Sequence, residues 1–175
     1  YRWAMSDDGK DLLGMAQRFG PYSFVVNTDK VSRATAEEQG WALFADPALA
    51  DKYGILESDD WNVFDIFLTA GINPFVEHSD DDFKKFGDTA LKIFKGAKLI
   101  GDIAAMNQAL ISGEIDLHFT GGTYSVSPAR ADGYPNLRAI TPLKGPINGK
   151  GGVAWIEITS TVNNPDLSPL ALEFL

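Results

Sequence analysis

Few residues in this chain of 175 could do chemistry. It has two histidines, His78 and His118, far apart in sequence, and no cysteine. Thiolate nucleophiles, disulfides and thiolate metal sites are therefore excluded together, and a tetrahedral zinc site would need several carboxylates. No Gly-x-Ser-x-Gly stretch supplies a nucleophile elbow. The loop Lys144 to Gly152 contains Gly149-Lys150. No Ser or Thr follows that lysine, and the run leads into strand-like residues, not into a helix whose amides could cradle phosphate. Asp80-Asp81-Asp82 follows Ser79 and reads as the acidic first turn of a capped helix, favourable to its dipole; neither Gly nor Glu stands at EF-hand spacing.

Two constellations remain. Asp59-Asp60-Trp61-Asn62 falls at a strand-to-helix junction, the edge where open α/β sheets hold their ligands. The same residues fit a helix N-terminus, and one aspartate can cap while its neighbours face a cleft. His118-Phe119-Thr120-Gly121-Gly122 ends another strand. Glycines there admit a ligand close to the backbone beside a flat wall from Phe119; equally, Phe119 is a core ring before a tight turn.

The elements that must position these residues alternate along the chain. Tyr22 to Asn27 is an aromatic and β-branched run that reads as a buried strand. Thr35 and Glu38 have capping-box spacing, with Trp41, Leu43 and Phe44 as the apolar part of a short helix stopped by Asp46-Pro47. Gly54 to Leu56 predicts a strand, and Val63, Phe64, Phe67 and Leu68 a helical stripe ending at Gly71. A capped helix follows from Ser79 through Phe83, Phe86, Leu91 and Phe94 to Gly96, its phenylalanines expected in the core. Strands are then expected at Lys98 to Ile100, Glu114 to Thr120, Leu137 to Ile140 and Val153 to Ile158. Helices fall at Ile103 to Ile111 and up to Asp132, and Asn163-Asn164-Pro165-Asp166 opens a last one running to Leu175. The first twenty residues fit helix and strand equally, because Gly9, Gly14 and Gly20 interrupt the face of Leu12, Leu13, Met15 and Phe19. The alternation predicts an α/β class with a doubly wound, mixed or parallel sheet.

Composition narrows the function. A formal net charge of −9 argues against nucleic acid, whose phosphates need a basic footprint. No apolar run approaches the roughly 20 residues that span a bilayer. No secretory leader begins at Tyr1-Arg2-Trp3.

Several local patterns keep a common order. Gly9-Lys10, Gly14-Met15 and the run Arg18-Phe19-Gly20-Pro21 through Asn27-Thr28-Asp29-Lys30-Val31 resemble a segment of extracellular solute-binding proteins, in their spermidine/putrescine-binding branch. Trp41 to Phe44 with Asp46-Pro47, Leu56 to Phe64 with Gly71-Ile72-Asn73-Pro74, and Leu110 to Asp116 are similar to further stretches of it. So are Phe119-Thr120-Gly121 with Tyr124, Ile140-Thr141-Pro142 to Trp155, and Asn164-Pro165 onward. The resemblance implies a type II periplasmic binding protein, two-lobed, holding a small polar solute for an ABC permease in the membrane, with no cofactor and no catalysis. It implies a periplasmic location, with the signal peptide, the front of the first lobe and the closing helices outside this stretch. Residues 1–26 would be a first-lobe remnant and hinge strand, 27–140 the second lobe, and 141–175 a return hinge and first-lobe remnant, with Lys10 to Met15 as strand and loop. Apolar surface left uncovered on the remnants favours self-association. The implied solute neighbours are Phe19, Tyr22, Asp59, Asn62, Phe119, Thr120, Gly121, Gly149 and Gly151. Asn62 stands at one acidic position of the polyamine binders, and Gly149 and Gly151 at a Trp and an Asp. Those departures remove acidic and aromatic partners that an alkylammonium needs, so the resemblance points to another small polar solute. A ligand-sensing domain of a regulator, or an enzyme on a related α/β fold, is the alternative.

Overall fold

The computed structural model describes residues 2–174. Tyr1 and Leu175, between which the expectations above run, lie outside the described residues. In chain order the elements are β1 (Met15–Pro21), β2 (Phe24–Asn27), α1 (Arg33–Gln39), β3 (Tyr53–Leu56), α2 (Asp59–Thr69), α3 (Asp80–Gly96), β4 (Leu99–Gly101), α4 (Ile103–Ser112), β5 (Leu117–His118), α5 (Thr123–Ala131), β6 (Leu137–Ile140), β7 (Ala154–Thr159) and α6 (Leu170–Phe174). They form two compact units, one of residues 22–152 and one of residues 1–21 with 153–175. These divisions differ from the expected ones after residues 26 and 140.

The larger unit is built on a five-stranded mixed sheet in the order β4-β3-β5-β2-β6. β3 runs parallel to β4 and β5, whereas β2 runs against both β5 and β6. Being reversed, β2 brings its own start to the edge where β3 and β5 end. That edge therefore collects Tyr22, the Leu56–Asp59 junction and the Thr120–Gly122 turn.

Successive side chains of β2 point to opposite faces, and both faces are covered. Val25 packs with Met106, Ala109 and Leu110 of α4, with Val126 and Ala129 of α5, and with Ile115 and Leu137. Phe24 meets Trp41 and Phe44 edge-on, with ring centroids 5.2 and 5.3 Å apart. Phe44 in turn meets Tyr53 at 5.2 Å. Edge-to-face pairs of this kind add about 0.5–1.5 kcal/mol each beyond the area they bury.

Several local expectations shift for physical reasons. The cap of α1 is Ser32, whose hydroxyl accepts from the Thr35 amide, so Thr35 lies inside the first turn. Trp41, Leu43 and Phe44 lie in a 3₁₀ stretch, Gly40–Ala45. Its three-residue turn sets Trp41 and Phe44 on one side, which lets both reach the core. Of the strand expected at Glu114 to Thr120 only Leu117–His118 pairs. Phe83 and Phe94 are exposed, not core, and Ile93 is the fully buried residue of α3. The last helix starts at Leu170, beyond the turn at Asn164.

In the smaller unit, β1 and β7 form an antiparallel ladder. The ambiguous opening is thus resolved as strand, and it begins at Met15, later than the resemblance implied. Phe19 pairs with Ile156 and Gly20 with Trp155. A side chain at Gly20 would meet the Trp155 ring at 2.9 Å, so the ladder needs glycine there.

Candidate functional site

Helix α2 enters from β3 through Ser58, whose hydroxyl makes no capping bond. Asp59 and Asp60 occupy the first turn, where their charge favours the helix dipole. Asp59 is exposed. Residues three and four apart share a helix face, so Trp61, Phe64 and Asp65 lie together.

The lead-in to β2 lays Tyr22 on that face. Its ring stacks on Phe64 at 4.5 Å and 22° and tilts against Trp61 at 5.6 Å. From the other side Tyr124, at the start of α5, meets Trp61 edge-on at 5.3 Å. Phe75 closes the group against Phe64 at 5.4 Å. Tyr22, Trp61 and Phe64 are half-buried and Tyr124 is 41% exposed, so this is a rim and not a core.

Asp65 lies fully buried among these elements. Among the described residues neither of its carboxylate oxygens has a hydrogen-bond partner. Burial pushes the carboxyl well above its ordinary value of 3.8. The Tyr22 hydroxyl is pushed up by burial, then by the charges of Asp65 and Asp60. Tyr124 is pushed up by burial, then by Asp65 and Tyr22. The three groups therefore feel one another.

The expected site residues divide. Tyr22 joins the aromatic rim. Asn62 is buried and committed at both ends: its amide donates to the Leu56 carbonyl at 2.8 Å, and its oxygen accepts from the Thr120 hydroxyl at 2.5 Å. It ties the ends of β3 and β5 to α2. Phe119 is a core ring, fully buried between Trp41 at 5.8 Å and Phe44 at 4.8 Å. Gly121 is required by packing, because a Cβ there would lie 2.6 Å from Val25 Cγ2 and 2.9 Å from His118 Nδ1. Gly149 adopts a left-handed φ of 80° with open space around it, while Gly151 packs on Pro142 and Lys144. Phe19, in the smaller unit, is 81% exposed on β1.

Sequence reasoning missed Asp65 and gave Tyr124 no role at the site. An acid inside the apolar run Val63-Phe64-Asp65-Ile66-Phe67-Leu68 was the available signal, since such a position is buried with the helix. Among the described residues no group of three or more His, Asp or Glu side chains is arranged to hold a metal ion, and no helix is long and apolar enough to cross a membrane.

No protein-family model matches the sequence, and no curated protein matches it. Solved structures do. The spermidine/putrescine ABC transporter substrate-binding protein PotD from Streptococcus pneumoniae, in complex with calcium and HEPES, superposes with a TM-score of 0.62 at 13% identity, over 88% of this chain and 44% of its own. The TpPotD lipoprotein of Treponema pallidum gives 0.60 at 15% identity, over 95% and 50%. A two-component system protein that mediates signal transduction gives 0.64 at 13%, over 98% and 53%. The chain thus has the mixed α/β fold of periplasmic solute-binding proteins, as the resemblance implied, and spans about half the length of the solved chains it matches.

Proposed function

We propose that the chain is part of a solute-binding component of an ABC import system, with the aromatic rim of its larger unit as one wall of the solute site. The observation that carries this reading is the rim itself. Tyr22, Trp61 and Tyr124 offer partly exposed ring faces beside a buried acid, at the sheet edge where open α/β folds hold ligands. The likeness to transporter substrate-binding proteins supports it at the level of fold.

In this reading Tyr22 and Asp59 face the solute directly. Asn62, Thr120 and Gly121 act as positioning residues that hold the edge in shape, and Phe119 supports it from the core. Gly149 and Gly151 border the solute from the loop after β6. The partners are a small polar solute and a membrane permease, the location is periplasmic, and nucleic acid and cofactors have no part. Residues 27–140 act as the second lobe, with the flanking segments belonging to the hinges and the first lobe. Apolar side chains on the smaller unit, Phe19 and Val162 among them, are exposed and favour self-association.

The signal-transduction protein among the structural neighbours favours a second reading, a ligand-sensing domain. A neighbouring permease gene separates the first reading from the second. The test of solute binding is a thermal-shift screen of the purified chain against amino acids, amines, organic acids and sugars at millimolar concentration. A saturable rise in Tm with one class, lost in Trp61→Ala, is expected. Shifts with no class, or shifts unchanged in Trp61→Ala, would contradict the reading.

A further inference from the structure

Helix α3 carries more apolar residues than its own chain covers. On one side Phe86 meets Phe67 at 4.5 Å and Ile93 is fully buried, which seats the helix on α2. Phe83, Leu91 and Phe94 are exposed, and with Gly87 they stand three or four residues apart, in one stripe along the helix. Glycine inside a helix costs stability relative to alanine, and nothing in the fold calls for it at Gly87. Its φ is not left-handed, and a Cβ there would meet nothing within 4 Å outside its chain neighbours and the backbone of its own helix. A gap between two exposed large side chains is what a second helix needs for close approach. The ends of α3 are oppositely charged: Asp80, Asp81 and Asp82 open it, and Lys95 lies in its last turn. Asp80 and Lys95 are exposed and flank the same side of the stripe. No ion pair among the described residues includes either; lysine and arginine pair with Asp8, Glu157, Glu37 and Glu38. The helix dipole accounts for charges of these signs, but not for an uncovered apolar stripe between them.

We propose that this stripe of α3 is the docking surface for a second copy of the chain, the two helices crossing antiparallel about a two-fold axis near Gly87. Self-complementarity selects this occupant. A two-fold axis sets the patch against itself with its direction reversed. Phe83 of one copy then lies near Leu91 of the other, and the two Gly87 positions meet at the crossing. Asp80 of each copy comes opposite Lys95 of the other, giving two symmetry-related ion pairs. Parallel pairing would set Asp80 against Asp80 and Lys95 against Lys95, so charge fixes the direction of the contact. From Phe83 to Phe94 the stripe is only about 17 Å long, so the dimer is weak and depends on concentration. It stands independently of the solute-binding reading, and it uses residues other than the exposed Phe19 and Val162 of the smaller unit.

Sedimentation equilibrium of the full chain from about 10 μM to 1 mM, the range of a weak interface, tests this. The expected result is a mass that rises with concentration from one chain toward two, without larger species. Leu91→Glu, at an exposed position, should hold the chain monomeric with its far-UV circular dichroism unchanged. Asp80→Lys or Lys95→Asp alone should weaken the dimer about tenfold, since each turns two attractions into repulsions. Combining the two should restore it. The positions lie about 22 Å apart along one helix, too far to pair within a chain, so restoration can come only from antiparallel copies. A wild-type chain that stays monomeric throughout overturns the proposal, as does an assembly that persists in Leu91→Glu. A doubly swapped chain that dimerises no better than the single variants overturns it too.

Discussion

Two aromatic groups lie in the same unit and differ in almost every respect that matters for function. Phe24, Trp41, Phe44, Tyr53 and Phe119 meet mostly edge-on and are buried. Their one hydroxyl, on Tyr53, donates to the Ile93 carbonyl at 2.6 Å, and burial pushes its pKa up to about 12. Tyr22, Trp61, Phe64 and Tyr124 are packed just as closely but remain partly open, around an acid that has no hydrogen-bond partner among the described residues. Ring contact alone therefore does not mark a site. What separates the two groups is exposure, together with the kind of buried group that has no hydrogen-bond partner among the described residues: an indole N–H, on Trp41, in the core, and a whole carboxyl, on Asp65, in the rim, where desolvation costs more.

Breaking the core group should have the largest effect. Phe119→Ala is expected to cost about 3–5 kcal/mol, read as a lower urea midpoint, because it empties the space between Trp41 and Phe44. A loss below about 1 kcal/mol would place Phe119 outside the core. Asn62→Leu leaves the Leu56 carbonyl and the Thr120 hydroxyl unpaired and should cost about 1–3 kcal/mol. Pairing it with Thr120→Val should recover part of that loss in a double-mutant cycle; strict additivity would deny that the two side chains form one clamp.

The pH dependence sharpens the comparison further. The folded chain keeps the Asp65 proton when the unfolded chain has released it. Asp65 thus contributes stability fully below its ordinary 3.8, and this is lost as pH rises toward the raised folded value. His118, buried and pushed down to about 3 from 6.5, acts oppositely: its contribution is lost as pH falls below 6.5. As pH rises from 3.8 the two slopes therefore oppose each other. Asp65→Asn should remove the loss of stability that sets in above 3.8, so that urea midpoints rise more steeply with pH toward 6.5 than in the wild-type chain; an unchanged pH dependence would assign that loss to another group. Tyr124→Leu should have the smallest effect on stability, under about 1 kcal/mol, since its ring is partly exposed. A loss comparable to that of Phe119→Ala would erase the distinction between rim and core.

Much of the architecture was legible from periodicity and punctuation. Ser79 with Asp82 forms the capping box that opens α3, and Gly113 closes α4 with a left-handed φ of 76°. The fold class followed from alternating strands and helices, and the resemblance identified the solute-binding fold that the structure has. The site was harder to read because it depends on which face each residue takes at a strand end. Phe119 and Thr120 are neighbours in sequence, yet Phe119 enters the aromatic core and Thr120 bonds to Asn62. Asn62 occupies a position implied to touch solute, but the ends of β3 and β5 claim both sides of its amide. Asp65 was hidden inside an apolar stripe. Tyr22 read from its residue pattern as the start of a buried strand and from the resemblance as a solute neighbour; the reversal of β2 that carries it to the rim is a property of sheet order.

In the proposed function the rim, and not another surface of the larger unit, receives the solute. The most direct measurement is tryptophan fluorescence during titration with the strongest solute from the screen. Of the four tryptophans, Trp61 lies in the rim and Trp41 in the core. Binding at the rim predicts a saturable change in wild type that disappears in Trp61→Phe while calorimetry still detects binding. A change of equal amplitude in Trp61→Phe would contradict it.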